Sequence, residues 1–182
     1  MLDEAFTGEA MRAGLRQRYP VVHIASHFQF NPGNETNSFL LLGDGSRMSL
    51  AEIKTLPNVF GGVELLTLSA CNTATSGVGA DGKEVEGFAV MAQRQGAKAV
   101  VASLWPVADR STRVLMQDFY RRRSTQAGIA KAEALRQAQV GLLRDDEKVG
   151  KESRGIGVNL GGKTSHAHPY YWAPFILIGN WK

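Results

Sequence analysis

The stretch Leu65–Ala74, "LLTLSACNTA", decides the fold. Its first half is an uninterrupted apolar run, the signature of a strand buried on both faces rather than a half-exposed one. It runs directly into Cys71, the only cysteine of the chain, followed by the small polar residues Asn72 and Thr73. Two further runs of the same kind lie on either side of it: "VVHIAS" at 21–26, ending at His27, and "AKAVVASLW" at 97–105, stopped by Pro106. Helical patterns separate the three. Thr7 opens an amphipathic helix over 7–18 with Met11 and Leu15 on one face. Ser49 and Glu52 form a capping-box pattern over 49–56, and a helix over 84–96 closes at Gly96. Strands alternating with helices predict an α/β fold with a mostly parallel sheet flanked by helices.

The rest of the chain fits that frame. "QFNPGNETNS" at 29–38 is a polar loop, and "SFLLLGDGSRMSL" at 38–50 a small hairpin around Gly43-Asp44-Gly45. A helix over 110–123, capped by Asp109 or Ser111, precedes another over 129–143 that carries Ala134, Leu135, Ala138 and Leu142 on one side. Residues 144–169 are polar and glycine-rich and read as a flexible loop. "YYWAPFILIGNW" at 170–181 reads as a last strand, with Pro174 implying an edge or a bulge. The 182 residues suit a single domain spanning the whole chain.

Composition narrows the function classes. The net charge of +4 comes from scattered basic residues. The densest run, Arg121-Arg122-Arg123, has no interleaved aromatics and reads as a solvated helix end, so nucleic acid is not an expected partner. No apolar run reaches membrane-span length, and a single cysteine fits a reducing compartment; the expectation is a cytoplasmic protein without a membrane partner. No metal or cofactor is expected. His166 and His168 lack companions at ligand spacing. Gly77-Val78-Gly79-Ala80-Asp81-Gly82 matches a dinucleotide fingerprint in letters, but it starts six residues past Cys71 and lacks the acid that should follow.

His27 and Cys71 carry the chemistry. In open parallel sheets ligands gather at the carboxyl ends of the strands. His27 is where the first strand stops and Cys71 where the second stops. If those strands are neighbours, their ends lie ~5 Å apart, although the residues are 44 positions apart in sequence. A thiol with a base beside it is the requirement for nucleophilic cysteine chemistry. The competing reading is an inert buried cysteine in an unrelated α/β binding protein. His23, mid-strand on the face of His27, is expected to be a hydrogen-bonded structural residue. Ser69, Asn72, Trp105 and Asp109 surround the same end of the sheet as candidates for the oxyanion site and substrate pocket.

Taken together, "VVHIASH", "LLTLSACNTA", "AVVASLWPVAD", "STRVLMQDFY", "KAEALRQAQVGLL" and "HPYYWAPFILIGNW" resemble the CHAT domain, a caspase-like family of cysteine peptidases related to separase. The blocks occur in order from about residue 7 to 181. The resemblance implies a caspase-type sheet and a cysteine endopeptidase with His27 as base, Cys71 as nucleophile, backbone N–H groups as oxyanion donors and a protein or peptide substrate. It also implies a regulatory TPR-type region in a parent protein. Two departures stand out. The family has glycine after the catalytic histidine where this chain has Phe28, at a position expected to shape the oxyanion site. The two strands that open the family's fold, ahead of the helix at 7–18, have no counterpart here, so the chain reads as the C-terminal portion of a larger protein, with the dyad intact and either active or idle in the shortened form. The first strand would then present an unpaired edge and recruit a second copy. The alternative is a non-catalytic protein-interaction module on the same fold.

Overall fold

A computed structural model of the chain describes residues 3–29, 31, 34–69, 83–105, 107–144 and 166–182. They form two compact units, one comprising residues up to 106 with Ile178–Asn180, the other Val107–Leu177 with Trp181 and Lys182.

The first unit is built on a sheet of strands β1 (Val21–Ala25), β5 (Leu65–Ser69), β6 (Ala99–Ser103) and the Ile178–Gly179 end of β7 (Phe175–Gly179), in that order. β1 is parallel to β5 and β5 to β6, so the sheet is mostly parallel as the sequence predicts. Ile178–Asn180 bring β7 to this unit, where the Asn180 N–H donates to the Lys98 carbonyl at 2.9 Å. Burial differs between strands. Leu65, Leu66, Val100 and Val101 are wholly inaccessible, whereas in β1 only Ile24 is buried. The expectation that 21–26 is covered on both faces is therefore corrected. β1 is an edge strand among the described residues, and its Val21, His23 and Ala25 face is open.

Helices α1 (Gly8–Arg16), α2 (Leu50–Thr55) and α3 (Lys83–Arg94) accompany this sheet. α1 starts where sequence chemistry says it must: Thr7 Oγ1 accepts from the Ala10 N–H at 3.1 Å, and Met11 and Leu15 are buried. α2 has a complete capping box. The Glu52 N–H donates to Ser49 Oγ at 3.1 Å, and the Ser49 N–H donates to Glu52 Oε2 at 2.7 Å. α3 lies against β6, and its chain reverses at Gly96, whose φ of +104° favours glycine.

Between β1 and α2 comes a three-stranded antiparallel sheet, β2 (Phe28–Gln29), β3 (Phe39–Leu41) and β4 (Arg47–Ser49). The predicted hairpin at 38–50 is its β3–β4 pair. Alternation divides its residues between two faces. Phe28, Leu40 and Met48 are buried, while Gln29, Phe39 and Ser49 form a paired row on the other side.

The second unit contains α4 (Asp109–Thr125), α5 (Lys131–Leu143) and α6 (Pro169–Trp172). Ala134, Leu135, Ala138 and Leu142 of α5 are buried as their spacing predicts. Four expectations are corrected here. Neither Asp109 nor Ser111 caps α4. The cap position is Ala108, Asp109 is the first helical residue, and the Ser111 hydroxyl donates to the Ala108 carbonyl at 3.0 Å. The arginine run is not simply a solvated end. Asp118, only 3 % exposed, accepts from both Arg121 and Arg122, the latter at 2.8 Å, and Arg122 also donates to Gln137 of α5 at 2.7 Å. A buried carboxylate needs such partners. Residues 170–172 are helical rather than extended, because Pro169 suits the first turn and His168 Nδ1 accepts from the Tyr170 N–H at 3.1 Å. Pro174 accordingly precedes the last strand instead of interrupting it. The predicted loop at 144–169 lies outside the described residues except at its ends, as does the glycine motif at 77–82. No described helix is long and apolar enough to cross a membrane.

Candidate active site

The parallel pairing of β1 with β5 sets the frame of the candidate site. Their register runs from Val21↔Leu65 to Ala25↔Ser69. Both strands therefore end at the same level and on the same side of the sheet, and the parallel β6 ends on that side too, two residues ahead of the half-buried Trp105. Asp109 belongs to the second unit, as the exposed start of α4. Cys71 and Asn72 lie outside the described residues.

His27 follows β1 and is exposed. Its backbone is clamped to the hairpin: the Leu41 N–H donates to the His27 carbonyl at 2.8 Å, and the neighbouring Ser26 hydroxyl donates to the Leu41 carbonyl at 2.5 Å. Two hydrogen bonds to one residue hold the turn between β1 and β2 while the imidazole faces solvent, without a side-chain partner among the described residues.

His23 is hydrogen bonded, as its mid-strand position predicts. Its Nε2 lies 2.6 Å from Ser69 Oγ. The ring keeps an outer face in solvent, but protein packed around the rest lowers its pKa by desolvation, so the neutral imidazole is favoured. Ser69 is thereby tied to β1 by its side chain as well as by the strand ladder.

Phe28 is packed in the core. It is 5 % exposed, and its ring meets Phe88 of α3 edge-on at 5.2 Å between centroids. Its φ is not positive; in the described chain only Asp3, Arg18 and Asn58 show that among non-glycine residues. The side chain in place of glycine is thus accommodated by the core, without the unusual backbone angle that glycine would permit.

The matched family decides what this frame is. The family model of the CHAT domain matches residues 1–180. The chain belongs to the CHAT-domain family. That family is caspase-like, and the mostly parallel sheet flanked by helices agrees with a peptidase-like fold. No curated protein matches the chain.

One feature of this CHAT domain escapes a reading of the sequence. The row Gln29, Phe39 and Ser49 floors a groove of about 800 Å³, walled by the loop that carries Asn31, Asn34 and Asn37. The loop holds itself together: Asn31 Nδ2 donates to the Asn37 carbonyl at 2.6 Å, and Asn34 Oδ1 accepts from the Asn37 N–H at 3.0 Å. Asparagines at every third position were the available signal.

Proposed function

We propose that this CHAT domain is a cysteine endopeptidase in which His27 and Cys71 form the dyad. The observation that supports it is the Ala25↔Ser69 register. Two residues further along the sequence from each member of that pair are His27 and Cys71. In the proposed reaction His27 takes the proton of the Cys71 thiol, and the thiolate attacks a peptide carbonyl. Backbone N–H groups beside the dyad hold the developing oxyanion. The imidazolium then protonates the leaving amine, and water releases the acyl group from sulfur.

A peptide-library cleavage assay tests it. The chain is expected to cleave a subset of peptides, and Cys71→Ala and His27→Ala each to lower the rate by at least about 10³-fold. Absence of cleavage, or cleavage indifferent to Cys71, contradicts the proposal and favours the interaction module.

The proposed setting is cytoplasmic, with a TPR-type regulatory region in a parent protein. We also propose a second copy of the chain as a partner at the outer edge of β1, where Tyr19 is 59 % exposed and Val21 39 % exposed. Light scattering is expected to show mass rising with concentration. A single mass across concentrations contradicts this.

A further inference from the structure

We propose that His23 is a positioning residue of the dyad: its hydrogen bond to Ser69 fixes the end of β5 from which the chain runs on to Cys71. As a role in catalysis this rests on the peptidase reading.

The strand register sets up the contact. His23 is paired with Thr67, and Ala25 with Ser69. Residues two apart on a strand share a face, so His23, Ala25, Thr67 and Ser69 lie on one side of the sheet. His23 reaches diagonally from its own level to that of Ser69, a span that a long side chain can bridge. Its Nε2 comes within 2.6 Å of Ser69 Oγ. The bond forms in either tautomer: a bare Nε2 accepts from the hydroxyl, and an Nε2–H donates to Oγ. Valine or isoleucine would serve the strand equally well. Neither could bond Ser69.

Ser69 stands where β5 is held least. Pairing of β5 with β6 runs from Leu66↔Val100 to Leu68↔Ala102, whereas pairing with β1 continues to Ala25↔Ser69. Among the described residues, the last residue of β5 is thus held from the β1 side, by the strand ladder and by His23. Cys71 follows two residues later. The segment that leads to His27 is anchored in a comparable way. The Leu41 N–H donates to the His27 carbonyl at 2.8 Å, and the Ser26 hydroxyl donates to the Leu41 carbonyl. β1 therefore takes part in both anchors, one for each chain segment that leads to a member of the dyad. Proton transfer between a thiol and an imidazole needs a separation near hydrogen-bond length, and a small drift of either group slows it.

The charge state of His23 suits this role. Desolvation lowers its pKa from 6.5, so the ring is neutral at neutral pH and adds no positive charge beside the site. A change in thiol reactivity on its removal then reports position rather than a lost cation.

The test is the alkylation rate of Cys71 against pH in the native chain, His23→Ala, His23→Gln, Ser69→Ala and His27→Ala, with thermal melting of each. The native chain is expected to show an apparent thiol pKa below the ordinary value of about 8.5. His23→Ala and Ser69→Ala are each expected to raise it part of the way and to slow alkylation at neutral pH about fivefold. His23→Gln, whose amide can still bond the Ser69 hydroxyl, is expected to restore most of the native rate. Adding His23→Ala to His27→Ala is expected to change nothing further, because no pairing is left to position. If His27→Ala raises the thiol pKa while His23→Ala and Ser69→Ala leave it unchanged, the positioning role is overturned and the dyad stands. A lowered melting temperature with an unchanged thiol pKa gives His23 a purely structural role and overturns it equally. Failure of His23→Gln to restore the rate overturns the hydrogen bond as the means. A native thiol pKa indifferent to His27→Ala removes the dyad itself, and the positioning role with it.

Discussion

β1 and β6 are strands of one sheet with similar sequences, Val-Val-His-Ile-Ala and Ala-Val-Val-Ala-Ser. Every residue of β6 is buried, whereas β1 buries only Ile24 and leaves Val21, His23 and Ala25 exposed. Hydropathy does not separate them; sheet position does. β6 has a strand on each side, and β1 pairs only with β5 among the described residues. In such a sheet, accessible groups come from the strand with an open side. The central strands supply rigidity. The edge strand, paired on one side and open on one face, leads to the exposed His27.

The largest consequence lies in stability. Leu66→Ala in β5, the central strand that β1 leans on, removes a wholly buried side chain and is expected to cost about 2–5 kcal/mol. Val21→Ala in β1 is expected to cost under about 1 kcal/mol, because 39 % of the residue already meets solvent. Denaturant unfolding measures both, and comparable losses would break the distinction between centre and edge.

A smaller effect concerns His23. Its folded-state pKa is lowered from 6.5, so below that pH the unfolded chain takes up a proton more readily than the folded one. The stability this group contributes is fully present above pH 6.5 and falls as pH drops towards the lowered value, where the loss levels off. His23→Gln, which cannot titrate, is expected to flatten that part of the stability–pH curve. A curve of unchanged slope contradicts the account of His23 as a desolvated imidazole.

Much of this was legible in sequence because it is local. The capping box of Ser49 and Glu52, the cap at Thr7 and the buried faces of α1 and α5 are fixed by residues three or four apart. The parallel order follows from strand–helix alternation. Three features were not legible. The open face of β1 depends on what lies beside it. The helical turn at Pro169–Trp172 was hidden by three aromatics that favour strands, although His168-Pro169 signalled a helix start. The groove needs three strands in register before Gln29, Phe39 and Ser49 become a surface. At the site, strand-end logic singled out His27 and Cys71, and the role of Ser69 as the partner of His23 appears only once the register is known.

The central claim is that the imidazole of His27 and the sulfur of Cys71 act on one another. The most direct measurement is the alkylation rate of Cys71 against pH, in the native chain and in His27→Ala. The account predicts an apparent thiol pKa below the ordinary value of about 8.5, returning towards it when His27 is removed. A rate that follows an ordinary or raised thiol pKa, and is unchanged in His27→Ala, would contradict it.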